Sequence, residues 1–161
     1  TSMFLHGSWM HLIGNMLFLW VFADNVEATI GNFRFFVFYI LGGLAAHAVH
    51  IYFNLGSTIP TVGASGALSA VLGAYLVMFP TSRVKLLFIV FPFRLPAIIF
   101  LGVWFWMQWQ SGITSLQDTA GAGIAWWAHI GGFLFGVLLG FYYRLRFKEG
   151  PREVYHDEGR S

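Results

Sequence analysis

Apolar residues fall into long, nearly unbroken runs along the chain, and short polar stretches separate one run from the next. Five runs can be delimited, at about residues 9–23, 33–55, 65–79, 95–109 and 124–143. The longer ones approach the roughly 20 apolar residues that cross a bilayer as one helix. The pattern predicts an all-α fold, a polytopic membrane helix bundle that occupies residues 1–146 and is followed by a polar tail at 147–161.

Two boundaries in this pattern are set by polar residues and by proline. The first run is predicted to end at residues 24–27, which include Asp24 and Glu27. Residues 86–94, which contain Pro92, are predicted to form a kinked connection before the fourth helix. Charged side chains are costly inside a membrane span and proline interrupts a helix, so both features predict helix ends.

The composition supports a membrane protein and excludes several kinds of chemistry. The chain has 161 residues, of which 57% are hydrophobic and 10% charged, whereas soluble domains carry about 25% charged residues. It contains no cysteine, so disulfides, thiolate catalysis and cysteine-based metal sites are excluded. The net charge of +2 comes from basic residues that do not share one polar face. A lipid bilayer is therefore the predicted environment, and nucleic acid is not a predicted partner.

The basic residues predict the orientation of the bundle. They lie at or next to the first connection, in the third connection and after the last apolar run, at Arg34, Arg83, Lys85, Arg94, Arg144, Arg146, Lys148, Arg152 and Arg160. The second and fourth connections have none. By the positive-inside rule, the C-terminus is predicted to be cytoplasmic and the start of the chain to lie outside. The predicted membrane is a bacterial-type plasma membrane.

This orientation brings three polar side chains to the same membrane face. His11, Ser65 and His129 each lie near the outer end of a different apolar run. The third run is too short to span, because 15 residues of helix cover roughly 22 Å of a hydrocarbon core that is about 30 Å thick. Ser65 is therefore predicted to lie below the outer surface, at the floor of a cavity open to that side.

Ser65 is a candidate nucleophile in the sequence Gly63-Ala64-Ser65-Gly66. A helix N-terminus presents unpaired N–H groups that could stabilise an oxyanion. Gly63 and Gly66 would let backbone and substrate approach closely. The alternative is a small-residue helix start in which Ser65 is only the N-cap.

His129 is the candidate general base. An ionisable side chain inside a membrane span indicates function, and imidazole commonly takes the proton of a serine hydroxyl. Gly132, Gly136 and Gly140 recur every four residues and would let this helix pack closely on the helix of Ser65. No acidic residue lies in an apolar run near His129, so a Ser–His dyad is predicted rather than a triad. The alternative is a histidine that only bonds to a neighbouring helix.

Other polar residues in the apolar runs are predicted either to assist Ser65 and His129 or to stabilise the fold. His11 and Asn15 share one helical face and could both donate to an oxyanion, although an interhelical hydrogen bond is the alternative. His6 is predicted to be nearer the surface and structural. His47 and His50 are too few to hold a metal ion, so no metal is predicted.

Two further sets of side chains lie near the predicted site. Ser69 is a deeper and less favoured nucleophile, one turn below Ser65. Five tryptophans near the outer membrane interface are predicted to be anchors: Trp104, Trp106, Trp109, Trp126 and Trp127.

Taken together, these motifs resemble the rhomboid family of intramembrane serine proteases. The matching residues are His6-x4-His11-x3-Asn15, then Gly63-Ala64-Ser65-Gly66, then Ala128-His129 followed by Gly132 and Gly136. The resemblance implies that Ser65 is the nucleophile and His129 the base, with His11, Asn15 and the Ser65 N–H around the oxyanion. It implies cleavage of transmembrane or near-membrane segments of other proteins, with no metal or organic cofactor.

Two departures from the family pattern stand out. Five of the six core helices are found, and the absent first helix with its Trp-Arg loop implies an N-terminally incomplete core. Some members carry an aromatic residue four positions after the serine, packed on the histidine. Here that position is Ser69, so another group must orient His129. The alternative function is a non-catalytic relative that binds transmembrane clients, although such relatives usually lack the serine or the histidine.

Overall fold

The computed structural model describes residues 2–55, 62–88, 91–116 and 125–147. A short 3-10 helix, Ser2–Phe4, precedes five α-helices: α1 Trp9–Ile30, α2 Asn32–Phe53, α3 Ser65–Met78, α4 Ala97–Ser115 and α5 Trp126–Arg146. Strands β1, Arg83–Phe88, and β2, Phe91–Pro96, lie between α3 and α4. The prediction of an all-α membrane helix bundle is confirmed. Of the predicted tail 147–161, all but Phe147 lies outside the described residues.

Helix α1 is longer than the sequence predicted. It continues through the polar residues 24–27 and ends at Ile30, because Val26 and Ile30 continue its buried face while Asp24 points outward. Gly31 then ends the helix with a positive φ of 86°, and its N–H donates to the carbonyl of Glu27. The predicted end at residues 24–27 was therefore wrong, since one buried face is enough to continue a helix past polar residues.

In its described residues, 86–88 and 91–94, the predicted kinked connection instead forms part of two paired antiparallel strands, while residues 89–90 lie outside the described residues. Arg83 pairs with Pro96, and Pro92 stands opposite Leu87. Both strands of a two-stranded ribbon are edges, where proline is tolerated. Helix α4 consequently begins at Ala97, directly after β2, and extends to Ser115.

Helix α3 lies at the centre of the bundle and contacts the four other helices. Nearly all of its side chains are buried, and its closest packing is with α5. Backbone meets backbone along this contact: a Cβ at Gly132 would overlap the carbonyl of Gly66, and one at Gly136 would overlap the carbonyl of Ala70. The α3–α5 contact therefore holds the two helix N-termini at a fixed separation.

Within the described residues, two helices are long and apolar enough to cross a membrane, α2 and α5, and α3 is apolar but shorter. Large apolar side chains such as Trp20, Leu44, Val103 and Leu138 are exposed on the outside of the bundle. Because the interior is apolar as well, the bundle is suited to lipid rather than to water.

Candidate active site

Ser65 is the first residue of α3 and follows a glycine turn. Gly63 has a φ of 121°, and its N–H donates to the carbonyl of Ser2 at 3.0 Å. Ala64 occupies the N-cap position and no side chain caps the helix. The alternative interpretation of Ser65 as an N-cap is therefore wrong, and its hydroxyl is available for another partner.

That partner is His129, in the first turn of α5. The distance between Ser65 Oγ and His129 Nε2 is 2.8 Å. Gly66 and Gly132 make this approach possible, because their backbones touch one turn or less from the two side chains. Two residues that are 64 positions apart in sequence thus form a hydrogen-bonded pair.

Gln108 on α4 contacts the other side of the same imidazole. Its Oε1 lies 2.8 Å from His129 Nδ1, and its Nε2 donates to the backbone carbonyl of Trp104 at 3.4 Å. The residue is 6% exposed. The sequence interpretation missed Gln108, although it is the only polar side chain in the apolar run 95–109. A single polar side chain in an apolar run was the signal that could have identified Gln108 as a site residue.

The Ser69 hydroxyl donates to the carbonyl of Ser65 at 2.6 Å. The rings near His129 are those of Trp104 and Trp126, with centroid separations of 6.1 and 6.3 Å. Trp104 also lines the cavity beside the serine. Its predicted assignment as an interface anchor did not include this position in the cavity wall. Trp127 is buried and stacks on Phe53 at 3.8 Å, so its predicted role as an interface anchor is wrong.

A cavity of about 520 Å³ opens beside the serine–histidine pair. His11, Asn15, Ser65, Ser69 and His129 supply its polar lining. The other lining residues are apolar or glycine: Gly7, Met10, Gly14, Phe18, Val62, Leu68, Leu72, Trp104 and Ala125. Such a mixture of an apolar wall with a few convergent polar groups is typical of a substrate site.

Asn15 presents an unused donor to this cavity. Its side chain is 7% exposed, and within the described residues its Nδ2 has no hydrogen-bond partner. A buried polar group without a partner is unfavourable, so it commonly marks a place where a ligand atom binds. His11 lines the same wall, and the ring of His6 packs edge-on against it at 5.3 Å. His6 therefore packs beside His11, and its supporting role stays a prediction.

His47 has a structural partner at the start of the described chain. Its Nδ1–H donates to the carbonyl of Gly43 at 2.8 Å, and its Nε2 accepts from the hydroxyl of Ser2 at 2.9 Å. The carbonyl of Ser2 accepts in turn from Gly63. His47 thus helps to hold the turn that precedes Ser65. The part of the chain that the structure describes contains no group of three or more potential metal ligands.

Replacing Gly63 with alanine is expected to lower any hydrolytic activity of this site about 10- to 100-fold. The new Cβ would lie 2.7 Å from Cε1 of His11, and a φ of 121° is strained for any residue with a side chain. A displacement of a positioning side chain by about 1 Å can lower a reaction rate by about 10²-fold. Initial rates on a fluorogenic ester, in detergent, would measure the loss.

Gly31→Ala is the matched control, because Gly31 also has a positive φ but no atom within 4 Å of the position that a Cβ would take. If backbone strain were the only effect, both variants would lose stability and neither would lose activity. Equal rates for the two variants would contradict a role for Gly63 in positioning His11.

Comparison with known proteins finds one matching family and several similar proteins. Residues 1–146 match the family described as Rhomboid domain. The chain is 33% identical over 150 residues to Rhomboid protein 1, mitochondrial, of Saccharomyces cerevisiae, a match that covers 88% of this chain and 40% of that protein. It is 32% identical over 148 residues to Presenilin-associated rhomboid-like protein, mitochondrial, of Mus musculus (84% and 35%). It is 30% identical over 146 residues to RHOMBOID-like protein 5 of Arabidopsis thaliana (91% and 43%).

The matched proteins are longer than this chain, and the names of two of them include a membrane compartment. The chain spans less than half the length of each of the three relatives. The yeast and mouse proteins are named as mitochondrial, which does not favour the bacterial-type plasma membrane predicted from the sequence. The membrane compartment therefore stays a prediction.

Proposed function

The chain belongs to the rhomboid family, and from this premise we propose that it is a multi-pass intramembrane serine endopeptidase. Its substrates are transmembrane or near-membrane segments of other membrane proteins. The observation that carries the proposal is the 2.8 Å hydrogen bond between Ser65 Oγ and His129 Nε2, beside a cavity of about 520 Å³.

The proposed reaction proceeds through an acyl-enzyme. Ser65 Oγ attacks the carbonyl carbon of the scissile peptide while His129 Nε2 takes the hydroxyl proton. The imidazolium then donates this proton to the leaving amine, and the peptide C–N bond breaks. A water molecule, deprotonated by the same histidine, hydrolyses the serine ester and regenerates the hydroxyl.

Three donors are proposed to stabilise the oxyanion. The N–H of Ser65 lies in the first turn of α3, where backbone N–H groups have no intrahelical acceptor. Nδ2 of Asn15 is buried and, among the residues that the structure describes, unpartnered, and His11 lies on the same cavity wall. Donors that are already aimed at the developing charge need no reorganisation during the reaction.

The lengths and charges of the helices support a site within the membrane. Helix α3 has 14 residues, or roughly 21 Å of a hydrocarbon core that is about 30 Å thick. Its far end is joined to α5 by Arg144, which donates to the carbonyl of Val77 at 2.9 Å. The basic ends of the helices therefore lie opposite Ser65, which supports a cytoplasmic C-terminus and a site that opens on the outer side.

Ser65→Ala is expected to lower both cleavage and covalent labelling by about 10⁴-fold or more, because the nucleophile is lost. The full-length protein in detergent would be treated with a fluorophosphonate serine-hydrolase probe. In proteoliposomes it would be given a single-span reporter that carries small residues next to a helix-destabilising glycine or proline.

Ser69→Ala is the matched control, one helical turn away in the same cavity, and it should keep most of the labelling. Labelling that persists in Ser65→Ala would overturn the assignment of the nucleophile. A folded wild type that binds the reporter, but neither cleaves it nor is labelled, would instead support the client-binding alternative.

A further inference from the structure

We propose that Gln108 is a positioning residue that holds His129 in the tautomer with the proton on Nδ1, an inference that rests on the function proposed above. The histidine lies between two partners, with Ser65 Oγ at 2.8 Å from Nε2 and Gln108 Oε1 at 2.8 Å from Nδ1. The hydrogen bond made by one ring nitrogen decides the protonation of the other. Gln108 therefore decides whether Nε2 can act as a base.

The direction of the hydrogen bonds follows from the backbone of α4. The carbonyl oxygen of Trp104 can only accept, so the Gln108 group that faces it at 3.4 Å is the NH₂. This leaves Oε1, which can also only accept, facing His129 Nδ1. Nδ1 must then carry the proton, and the lone pair on Nε2 accepts the hydroxyl proton of Ser65.

The opposite orientation of the amide would disable the base. It would set Oε1 against the Trp104 carbonyl, which brings two acceptors together, and it would aim the NH₂ at Nδ1. Nδ1 would have to accept, so the imidazole proton would lie on Nε2 and point at Ser65. The Trp104 carbonyl thus selects the orientation of the amide that leaves Nε2 unprotonated.

A neutral amide suits this position better than the carboxylate of a triad. Gln108 is 6% exposed and lies within an apolar helix, where an ionised group would be expensive. An amide oxygen accepts from Nδ1–H without placing a charge there. It also supplies an orienting contact to His129, whereas the Ser69 hydroxyl donates to the carbonyl of Ser65.

Gln108→Leu is expected to lower kcat about 10- to 100-fold, by analogy with removing the partner that orients a metal-bound histidine, with KM changed less than about twofold. Gln110→Leu is the matched control. It makes the same change two residues along the same helix, at an exposed side chain, and should leave both constants as they are. Both would be measured on the single-span reporter in proteoliposomes.

A second readout reports the tautomer itself. The protein contains six histidines, and the ¹⁵N NMR signals of His129 in detergent can be assigned as those missing from His129→Gln. Wild type should show protonated Nδ1 and unprotonated Nε2, whereas Gln108→Leu should show a mixture or protonated Nε2. Gln108→Glu, neutral in this apolar position, can donate its O–H to the Trp104 carbonyl and keep a carbonyl oxygen facing Nδ1, so it should restore the wild-type pattern and part of kcat. A packing role alone would leave the tautomer unchanged.

Several outcomes would overturn the inference. One is a wild-type spectrum with the proton on Nε2, and another is a Gln108→Leu protein with wild-type kcat and tautomer. If Gln108→Leu does not fold, the wild-type spectrum and the rates of Gln108→Glu decide the question. Loss of the proposed function is separately visible, because a wild type that is not labelled by fluorophosphonate would fail that test while its tautomer could still be measured.

Discussion

His129→Ala should reduce acylation of the protein by about 10⁴- to 10⁶-fold, the range expected when the base of a serine–histidine pair is removed. Ser65 Oγ would lose the acceptor that lies 2.8 Å away, and a serine hydroxyl is a weak nucleophile without a base. The rate constant for fluorophosphonate labelling is the direct measurement, because the probe reports on the nucleophile and needs no substrate helix.

His50→Gln is a suitable control for that experiment. His50 lies in α2, and the Asn54 side chain donates to its backbone carbonyl at 2.8 Å, so it has local contacts of its own and does not line the cavity. Its replacement should leave labelling within a factor of about two, whereas any general effect of losing a histidine would appear in both variants. Labelling of His129→Ala at the wild-type rate would contradict the assignment of the base.

Gly136→Val should prevent the bundle from packing and lower the free energy of unfolding by about 3 kcal/mol or more. A Cβ at this position would lie 2.6 Å from the carbonyl carbon of Ala70 and 2.8 Å from its Cα. Both atoms belong to the backbone of the central helix, so no side-chain rotation can relieve the overlap. Thermal unfolding in detergent, followed by near-UV circular dichroism, would measure the loss.

The same substitution at Gly102 separates packing from helix propensity. Gly102 lies within α4 and has no atom within 4 Å of the position a Cβ would take. Gly102→Val should therefore leave the unfolding temperature nearly unchanged. An equal loss in both variants would show that valine destabilises these helices wherever it stands, and that the α3–α5 contact is not specially sensitive.

The bundle was predictable because each helix is marked by apolar residues over most of its length. The errors lie where a local signal competed with packing. Asp24 and Glu27 indicated a helix end, but Val26 and Ile30 are buried against the core and α1 continues. In the segment before α4, proline and apolar residues do not distinguish a kinked connection from two paired strands, because the pairing of Arg83 with Pro96 is a tertiary feature.

The site was partly predictable, because some of its residues are marked in the sequence and others are not. Ser65 and His129 were recognisable because serine and histidine at one depth of an apolar bundle are uncommon, and the rhomboid resemblance is confirmed by the match over residues 1–146. Their catalytic roles remain predictions. Gln108 was missed because an uncharged amide on a fourth helix has no motif, and its meaning depends on the Trp104 carbonyl and on a 2.8 Å approach to His129.

The placement of Gln108 on α4 has a mechanical consequence. Helix α4 packs mainly on α5 and touches α3 only slightly, while apolar side chains such as Ile98, Val103 and Met107 face outward. Ser65 and His129, in contrast, belong to the two helices that are packed backbone to backbone. If α4 swings aside to admit another helix from the lipid, it withdraws the amide oxygen from Nδ1 while nucleophile and base keep their spacing. The proposed base would then be oriented again only when α4 returns, so that the reactivity of Ser65 would depend on the position of α4.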